Sequence, residues 1–599
     1  MQHNESALPS RVCDRCIRKK VRCNQARPTC SRCSELGETC GYTFVRRKPG
    51  PLRGSHRAST AGSGRTRLRH NRACLRSGDS SSFRDEDISG GEYPPSQNEH
   101  PAHNTSITTP LPDHLHDLGE NISQFARHQR FTPQQVEFLL ASYFDNLQDA
   151  NPIFSRETFF QRYRNSLCSD DLISAIVIIT ANLTGYTAGH EDQRRLDAEL
   201  DLLLSLSLLE DDLVGDSPSL DQFRKAFILA FYEFHQFPGH HAWLRIGRVT
   251  RMAYRIGLDR LDHIRALYPD WGAVSNEDIQ EWRWIWWCIY RLDCYSNLSS
   301  GMPYLIDDAC IKTSFAQCRS TLRSEITEEL PQEFLLAPTP ENLSRILLSI
   351  PLHPETLPGN IHTVTTATMR QAGQITRMHL VRSKQATLTE VAKAEQLLAT
   401  IRAALPPGWL NTRRSAFTNE PHIDYHARMV TILHLRMAQL LLSIVGCGQR
   451  RGPEEWLIGW ERILEPCQDI ASVVEHWDSS FCLTVDPAVC FTLFTALVFL
   501  DLHRKTATTG TASMTTQNGT NTSVIDHHIT ILRLQLEHFA RIWTLPRLLK
   551  LSFESFNQSV SGPLSHRQIA MILSHFEAPL HPRWLHFLST AHTVLTSSE

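Results

Sequence analysis

Six cysteines lie close together near the start of this 599-residue sequence, in the basic segment RVCDRCIRKKVRCNQARPTCSRCSELGETCGY. Their spacing repeats the unit C-x2-C-x6-C, and the six positions are Cys13, Cys16, Cys23, Cys30, Cys33 and Cys40. Two cysteines separated by two residues can chelate one metal ion, and tetrahedral zinc takes four sulfur or nitrogen ligands. The segment is therefore a candidate zinc site. The ten other cysteines show no such spacing and are expected to be ordinary buried or loop thiols.

Six thiolates can fill the eight ligand positions of two zinc ions only if two sulfur atoms each bridge both metals. The repeated unit has a pseudo-twofold symmetry, so the first cysteine of each half is the expected bridge. One ion is assigned to Cys13, Cys16, Cys23 and Cys30, and the other to Cys30, Cys33, Cys40 and Cys13. The alternatives are a single four-cysteine zinc site with two spare thiols, or a disulfide framework.

Zinc is favoured over disulfides because the chain is expected to be soluble and intracellular, where thiols stay reduced. The N-terminus MQHNESALPS lacks the apolar run of a secretory signal. The longest apolar stretch, AVCFTLFTALVFL (488 to 500), is shorter than the roughly 18 residues of a membrane span. No membrane partner is therefore expected.

The cysteine segment resembles the fungal binuclear zinc cluster, the Zn2Cys6 DNA-binding domain, with all six cysteines in register. Pro28, two residues before the fourth cysteine, and Tyr42, after the sixth, also fit the family pattern. The resemblance implies two zinc ions and bridging by the first and fourth cysteines, in agreement with the symmetry argument.

The basic stretch IRKKVR (17 to 22) lies between the second and third cysteines and is expected to form a short helix held by metal. Modules of this family place a helix in the major groove, where guanine accepts hydrogen bonds from Lys or Arg. The resemblance implies that Lys19 and Lys20 read a CGG-like triplet. Arg18 and Arg22 are expected to contact phosphates. The alternative is that these charges only keep the cluster soluble.

Charge is divided unevenly along the chain. Residues 1 to 78 hold 18 Arg and Lys against 4 acidic residues, a net +14, and the remainder holds 43 against 59, a net −16. A basic head favours a polyanion partner, and a solvated or nuclear-targeting tail is the alternative. Arg46, Arg47 and Lys48 are the densest basic run after the cluster and are a candidate nuclear-import signal. The expected location is the nucleus.

These sites are expected to lie in a small binuclear zinc-cluster domain, which a disordered basic linker joins to a large regulatory domain. The large domain is expected to be all-α, because its sequence contains no sustained period-2 runs typical of strands. The predicted boundaries are 1–10 disordered, 11–43 zinc cluster, 44–128 basic and then polar linker, 129–504 regulatory domain, 505–523 low-complexity loop and 524–599 C-terminal helical part. Dimerisation through a coiled coil is an alternative for Leu111 to Phe125, although the apolar spacing covers barely two heptads.

Helix signals are clear in the large domain. Thr132 is a predicted N-cap, with Pro133 at the first helical position and Gln135 completing a capping box. One predicted helix places four further apolar residues beside Trp243 on one face and ends at Gly257; the four are Ile246, Val249, Ala253 and Ile256. A tryptophan-rich helix follows, with an apolar stripe of Trp282, Ile285, Trp286 and Ile289.

The last two segments resemble the fungal-specific transcription factor domain, over roughly residues 136 to 330. The matching pieces include Arg251-Met252-Ala253, Leu292-Asp293 and Gly301-x-Pro303. The resemblance implies a helical regulatory domain that controls output, with a small effector as one means. The tryptophan stripe is expected to be core, and the lining of an effector pocket is the alternative.

The predicted function is a sequence-specific DNA-binding regulator of RNA polymerase II transcription, activator rather than repressor, controlling a metabolic or biosynthetic gene set. Its expected partners are double-stranded DNA and the transcription machinery, with a homodimer left open. No nucleophile elbow, P-loop or zincin motif occurs, so the chain is not expected to be an enzyme. Two alternatives are a zinc-dependent interaction module without sequence-specific DNA binding, and an enzyme with a nucleic-acid-targeting head.

Overall fold

The computed structural model of the chain describes residues 13–19, 22–40, 131–186, 190–209, 218–267, 274–317, 336–350, 356–414, 420–448, 452–506 and 517–596. The chain divides after Thr109 into two compact units. Within the described residues every regular element is a helix, and the one β-type pairing is an isolated bridge between Thr506 and Leu564. The predicted combination of a small cysteine-rich domain and a large all-α domain is confirmed.

The helices are numbered in chain order. Those of the small unit are α1 Asp14–Lys19 and α2 Ser31–Ser34. Those of the large unit, called the helical body below, are α3 Pro133–Asn146, α4 Arg156–Arg164, α5 Asp170–Thr184, α6 His190–Leu209, α7 Leu220–Gln236, α8 His240–Ile256, α9 Leu261–Leu267, α10 Asn276–Ser300, α11 Leu343–Ser349, α12 Leu357–Met378, α13 Lys384–Ala404, α14 His422–Gly448, α15 Pro453–Glu475, α16 Val489–Arg504, α17 Gln517–Ala540, α18 Thr544–Ser559, α19 His566–His575 and α20 Pro582–Thr596.

Local signals fix several helix ends as predicted. Gln135 N donates to Thr132 Oγ1 at 3.3 Å, and Thr132 N donates to Gln135 Oε1 at 2.8 Å, so the capping box at the start of α3 is confirmed. Gly257 ends α8 with φ +82°, where a residue with a Cβ would be strained and would also meet Ile264. Gly301 ends α10 in the same conformation.

The buried face of α8 differs from the prediction at one residue. Ile246, Val249 and Ala253 are buried as expected, but Trp243 is 43% exposed. The reason is Arg245, which is buried and donates from Nε to Glu233 Oε2 at 2.6 Å. Through this ion pair, the face of α8 that contains Arg245 packs against α7. The periodicity of apolar residues does not predict this face, because Arg245 is charged.

The core of the body is continuous from Leu139 in α3 to Leu595 in α20. At its centre α14 packs along α12 and α15, and α10 packs against α8 and α12. The tryptophan stripe of α10 lies in this core, since Trp282, Ile285, Trp286 and Ile289 are all buried. The C-terminal helices also join it: Gln236 at the end of α7 donates to the Ile542 carbonyl at 2.9 Å.

A buried ion pair fastens the turn after α10 to α12. Asp293 Oδ2 lies 3.1 Å from Arg370 Nη1, and both side chains are almost fully buried. Asp293 also accepts hydrogen bonds from the backbone N–H groups of Leu305 and Ile306, at 3.1 and 3.2 Å. Arg370 stacks over the Tyr304 ring at 4.1 Å. Asp293 thus positions the segment that follows the Gly301-x-Pro303 turn.

Helix α14 is long and apolar enough to cross a membrane by length and composition, with a mean hydropathy of 1.6 in its most apolar window. However, 78% of that window is buried inside the body. A core helix passes the same hydropathy test, and the packing of α14 between α12 and α15 accounts for its composition.

Three predicted features lie partly or wholly outside the described residues. Helix α17 begins at Gln517, so the predicted 505–523 loop is shorter at its C-terminal side, and 507–516 lie outside the described residues. The predicted linker and the Leu111 to Phe125 heptads also lie outside them.

Candidate metal centre

Two short helices position the cysteines of the small unit. Cys13 immediately precedes α1, and Cys30 is the N-cap of α2 with φ −71° and ψ 150°. In each half the second cysteine lies inside the helix, so one turn brings the pair together; Cys33 N donates to the Cys30 carbonyl at 3.0 Å. The same local geometry thus makes each C-x2-C pair a chelating pair, and the two pairs match.

The six sulfur atoms form two groups of four that share two members. Within each group all sulfur atoms lie within 4.8 Å of one another. The groups are Cys13, Cys16, Cys23 and Cys30, and Cys13, Cys30, Cys33 and Cys40. This grouping is the one derived from the symmetry of the sequence, with Cys13 and Cys30 in both groups. No described thiol is paired in a disulfide.

The sulfur separations fit tetrahedral zinc. Cys13 Sγ lies 3.9 Å from Cys30 Sγ and 3.8 Å from Cys33 Sγ, and Cys16 Sγ lies 3.8 Å from Cys30 Sγ. A tetrahedron with Zn–S bonds of about 2.3 Å has edges of about 3.8 Å. A disulfide bond of about 2.05 Å is much shorter. The donor set and its spacing therefore suit zinc.

The electrostatics of the cysteine cluster also favour a bound cation. Burial raises the pKa of the Cys13 thiol and raises that of Cys33 to about 12. The backbone N–H of Cys30 donates to Cys40 Sγ at 3.2 Å and lowers the pKa of Cys40. Crowded thiolates repel one another, so the full set is deprotonated only when a cation balances its charge.

Several residues that support the cluster were missed by the sequence reasoning. Arg15, which looked like one more basic residue, pairs with Glu38 at 2.6 Å, and hydrogen bonding to the Cys33 sulfur raises the Arg15 pKa. Asn24 Oδ1 accepts from Ser31 N at 3.1 Å and ties the intervening loop to α2. No sequence signal distinguishes these side chains, because each partner lies in the other half of the repeat.

The basic residues predicted to contact DNA are only partly within the described chain. Lys19 is the last residue of α1 and is exposed, and Arg22 is also exposed. The backbone of Arg18 lies in α1, while its side chain is outside the described part. Lys20 lies wholly outside it, as do Arg46, Arg47 and Lys48.

Comparison with known families gives two matches on this chain. Residues 11–49 match the fungal Zn(2)-Cys(6) binuclear cluster domain, and residues 140–350 match the fungal specific transcription factor domain. Both are domains of transcription factors and not of enzymes, which agrees with the prediction that the chain is not an enzyme. The second match includes α10 and its tryptophan stripe.

Curated relatives support these matches. Transcription factor tazR of Aspergillus terreus is 22% identical over 392 residues, covering 50% of this chain and 61% of the relative. The azaphilone cluster-specific transcription factor azaR of Aspergillus niger is 25% identical over 299 residues, covering 48% and 58%. The chain thus spans about three fifths of the length of these relatives. The glucose transport transcription regulator RGT1 of Candida glabrata is 48% identical over 52 residues, 8% of this chain and 4% of that protein. No solved structure matches the chain.

Proposed function

We propose that this chain, whose residues 11–49 and 140–350 match the Zn2Cys6 cluster domain and the fungal specific transcription factor domain, is a fungal-type transcription factor that acts by zinc-dependent, sequence-specific DNA binding. The supporting observation is the pair of four-sulfur groups that share Cys13 and Cys30, with the basic stretch 17 to 22 lying between Cys16 and Cys23 of the first group. The chemistry favours two zinc ions, since each group offers the four thiolates that tetrahedral zinc requires.

The proposed mechanism uses metal to hold a short helix rigid. When bound, zinc supplies the cross-links between sulfur atoms that replace a hydrophobic core. Cys13 and Cys16 then fix the two ends of the first turn of α1, and Cys23 fixes the chain after the basic stretch. Lys19 and Lys20 donate hydrogen bonds to guanine N7 and O6 of a CGG-like triplet. Arg18 and Arg22 neutralise phosphates and set the register on the duplex.

The biological setting is proposed from the relatives and from the charge of the chain. Relatives include a factor named for an azaphilone cluster, which favours control of a biosynthetic or metabolic gene set. Activation is proposed rather than repression, through contact of the acidic body with the transcription machinery. The proposed location is the nucleus, with Arg46, Arg47 and Lys48 as the nuclear-import signal. A homodimer would read two such triplets.

The experiment that tests this proposal is selection of bound duplexes from a random DNA library by the full zinc-loaded chain, repeated after chelation. We expect enrichment of CGG-like triplets that disappears with the chelator. One triplet, or two at fixed spacing, would give the number of chains on DNA. Retention of duplex without any enriched sequence would instead support an interaction module that does not read bases.

A further inference from the structure

A cavity of about 590 Å³ lies in the helical body, and all of its lining residues belong to that unit. Its walls come from the connection between α3 and α4, one face of α10, the first turns of α12 and α14, and the segment before α16. The volume is in the range of small-molecule sites in proteins, about 300–1,000 Å³. Trp284 and Trp287 line it, whereas the tryptophan stripe at Trp282 and Trp286 faces the core.

One buried arginine in this wall differs from all the others in the described body. Arg291 is only 4% exposed, and no carboxylate of the described residues lies within ion-pair distance of it. Its Nη2 reaches two neutral groups, Asn151 Oδ1 at 3.4 Å and Cys288 Sγ at 3.1 Å. Each of the other five buried arginines pairs with a carboxylate; these are Arg224, Arg245, Arg283, Arg370 and Arg428.

A buried guanidinium without a counter-charge is energetically unfavourable, and a carboxylate matches its planar donors with two parallel hydrogen bonds. The carboxylates already lining the cavity do not fill this role. Asp145 pairs with Arg156 at 2.5 Å, and Asp486 lies 3.2 Å from His235 Nε2. Asp149 and Asp424 form no ion pair with Arg291, and burial raises the pKa of both carboxyls, that of Asp149 to about 6. Arg291 is therefore available to an external anion.

Two further polar atoms define what else a ligand must carry. Gln148 donates from Nε2 to the Phe154 carbonyl at 2.9 Å, which leaves its Oε1 without a hydrogen-bond partner. His426 uses Nδ1 toward the His422 carbonyl at 2.7 Å, which leaves Nε2 as an unpartnered acceptor. Both side chains are more than nine-tenths buried and line the cavity. Each needs a donor, such as a hydroxyl or N–H group.

The remaining wall is apolar and firmly positioned. Phe144 and Phe154 lie on the α3 side. Trp287 stacks on Phe315 with ring centroids 4.7 Å apart and donates to the Ser314 carbonyl at 2.9 Å. A flat ring is the shape that such walls accept.

We propose that this cavity binds a small aromatic carboxylate with a hydroxyl or N–H group. Arg291 holds the carboxylate, Gln148 and His426 accept from the donor group, and the ring lies against Phe144 and Trp287. The ligand would contact the α3–α4 segment together with α10, α12 and α14, and would therefore stabilise the helical body. This inference does not depend on the proposed DNA binding.

The test uses the full chain and two probes of the same shape, 4-hydroxyphenylacetate and its neutral amide, 4-hydroxyphenylacetamide. Calorimetric titration should give binding of the acid near about 1 mM, as for a fragment-sized ligand. The amide should bind at least about tenfold more weakly, since a charge-assisted hydrogen bond is lost. Arg291→Met should weaken the acid by a similar factor. Arg583→Met, which changes an exposed arginine outside the cavity, should leave binding unchanged.

Urea unfolding of the same variants keeps the test independent of misfolding. Arg291→Met should keep or raise the unfolding midpoint, because it removes a buried charge without a partner. Arg245→Met should lower it, because Glu233 loses its partner. The site is overturned if the acid does not bind, if acid and amide bind equally, or if Arg291→Met binds the acid like the wild type.

Discussion

Between Cys13 and Cys40 the buried side chains of the described segment are all cysteines, whereas the helical body buries a continuous apolar core from Leu139 to Leu595. Helices α1 and α2 have 6 and 4 residues, far fewer than the about 12–15 that an isolated helix needs. Helices α10 and α14, with 25 and 27 residues, are held by neighbours on several sides. The small unit therefore depends on metal for its shape, and the body depends on packing.

The two regions also use charge differently. The small unit exposes Lys19 and Arg22, where water or a polyanion can reach them. The body encloses most of its buried arginines with carboxylates, as Arg370 with Asp293. The comparison teaches that Lys19 and Arg22 of the small unit are exposed to solvent, while buried charges of the body hold helices together. The predictions below test this division.

Metal removal should have the largest effect and should affect only the small unit. Structural zinc contributes about 10–16 kcal/mol in zinc-finger peptides, so a chelator should abolish DNA binding while the circular-dichroism signal and urea midpoint of the body stay unchanged. Cys30→Ser should reduce zinc content more than Cys16→Ser, because Cys30 belongs to both sulfur groups. Zinc content is measured by mass spectrometry.

The control for metal removal is Cys310→Ser, which changes an exposed cysteine of the body. It should retain full zinc content and full DNA binding. Unfolding of the body by the chelator would contradict the division between the two regions.

Breaking the buried ion pair should have the next largest effect, confined to the body. Asp293→Ala leaves the buried Arg370 with Asp308, 3.2 Å from its Nε, as the remaining carboxylate partner, and removes the acceptor of two backbone N–H groups, so we expect a loss of about 3 kcal/mol in the free energy of unfolding. Urea denaturation measures this loss. Asp145→Ala breaks the exposed pair with Arg156 and should cost less than about 1 kcal/mol. Equal effects of the two changes would refute the importance of burial.

Acid should destabilise the body through its buried histidines. Burial lowers the pKa of His434 and of His503 to about 3, against about 6.5 in the unfolded chain. The unfolded chain binds these protons first, so stability is complete above about pH 6.5 and falls as the pH decreases toward 3. Each histidine should remove about 1 kcal/mol per pH unit in this window.

His503→Phe separates this effect from other acid effects. The Phe ring can still stack on Trp460, which His503 contacts with centroids 3.9 Å apart, but it cannot bind a proton. Urea midpoints at pH 7 and pH 5, followed by the helical signal, should differ less in the variant than in the wild type. An unchanged difference would mean that His503 does not titrate in the unfolding transition.

The smallest effects should come from single basic residues of the small unit. Lys19→Ala and Lys20→Ala should weaken specific duplex binding by about 1–3 kcal/mol and non-specific binding much less. Arg18→Ala and Arg22→Ala should weaken specific and non-specific binding alike. Each should also reduce the slope of log K against log salt concentration by about 1. Arg32→Ala is the matched control, since Arg32 is an exposed basic residue of α2. Equal losses on both duplexes for Lys20→Ala would argue against base reading.

Much of the site and some of the fold could be predicted because the interactions concerned are local. Each C-x2-C pair meets within one helical turn, and the symmetry of the repeat together with the ligand count of zinc gave the grouping of the six sulfur atoms. The capping box at Thr132 and the stop at Gly257 likewise involve neighbours in the chain. The face of α8 was partly wrong, because Arg245 and its partner Glu233 are not apolar.

Sequence by itself determined the sulfur groups, through the repeated cysteine spacing and the four ligands that zinc requires. It also determined the all-α class and several helix ends, since these rest on contacts within a few residues. Only the tertiary structure decided that Arg370 meets Asp293, 77 positions away, and that Arg291 meets no carboxylate of the described residues and faces a cavity. Both arginines lie in long helices that mix apolar and polar residues, and nothing in their chain neighbours distinguishes them. The physical reason is that the partner of a buried charge is chosen by the packing of distant helices, which a local pattern does not encode.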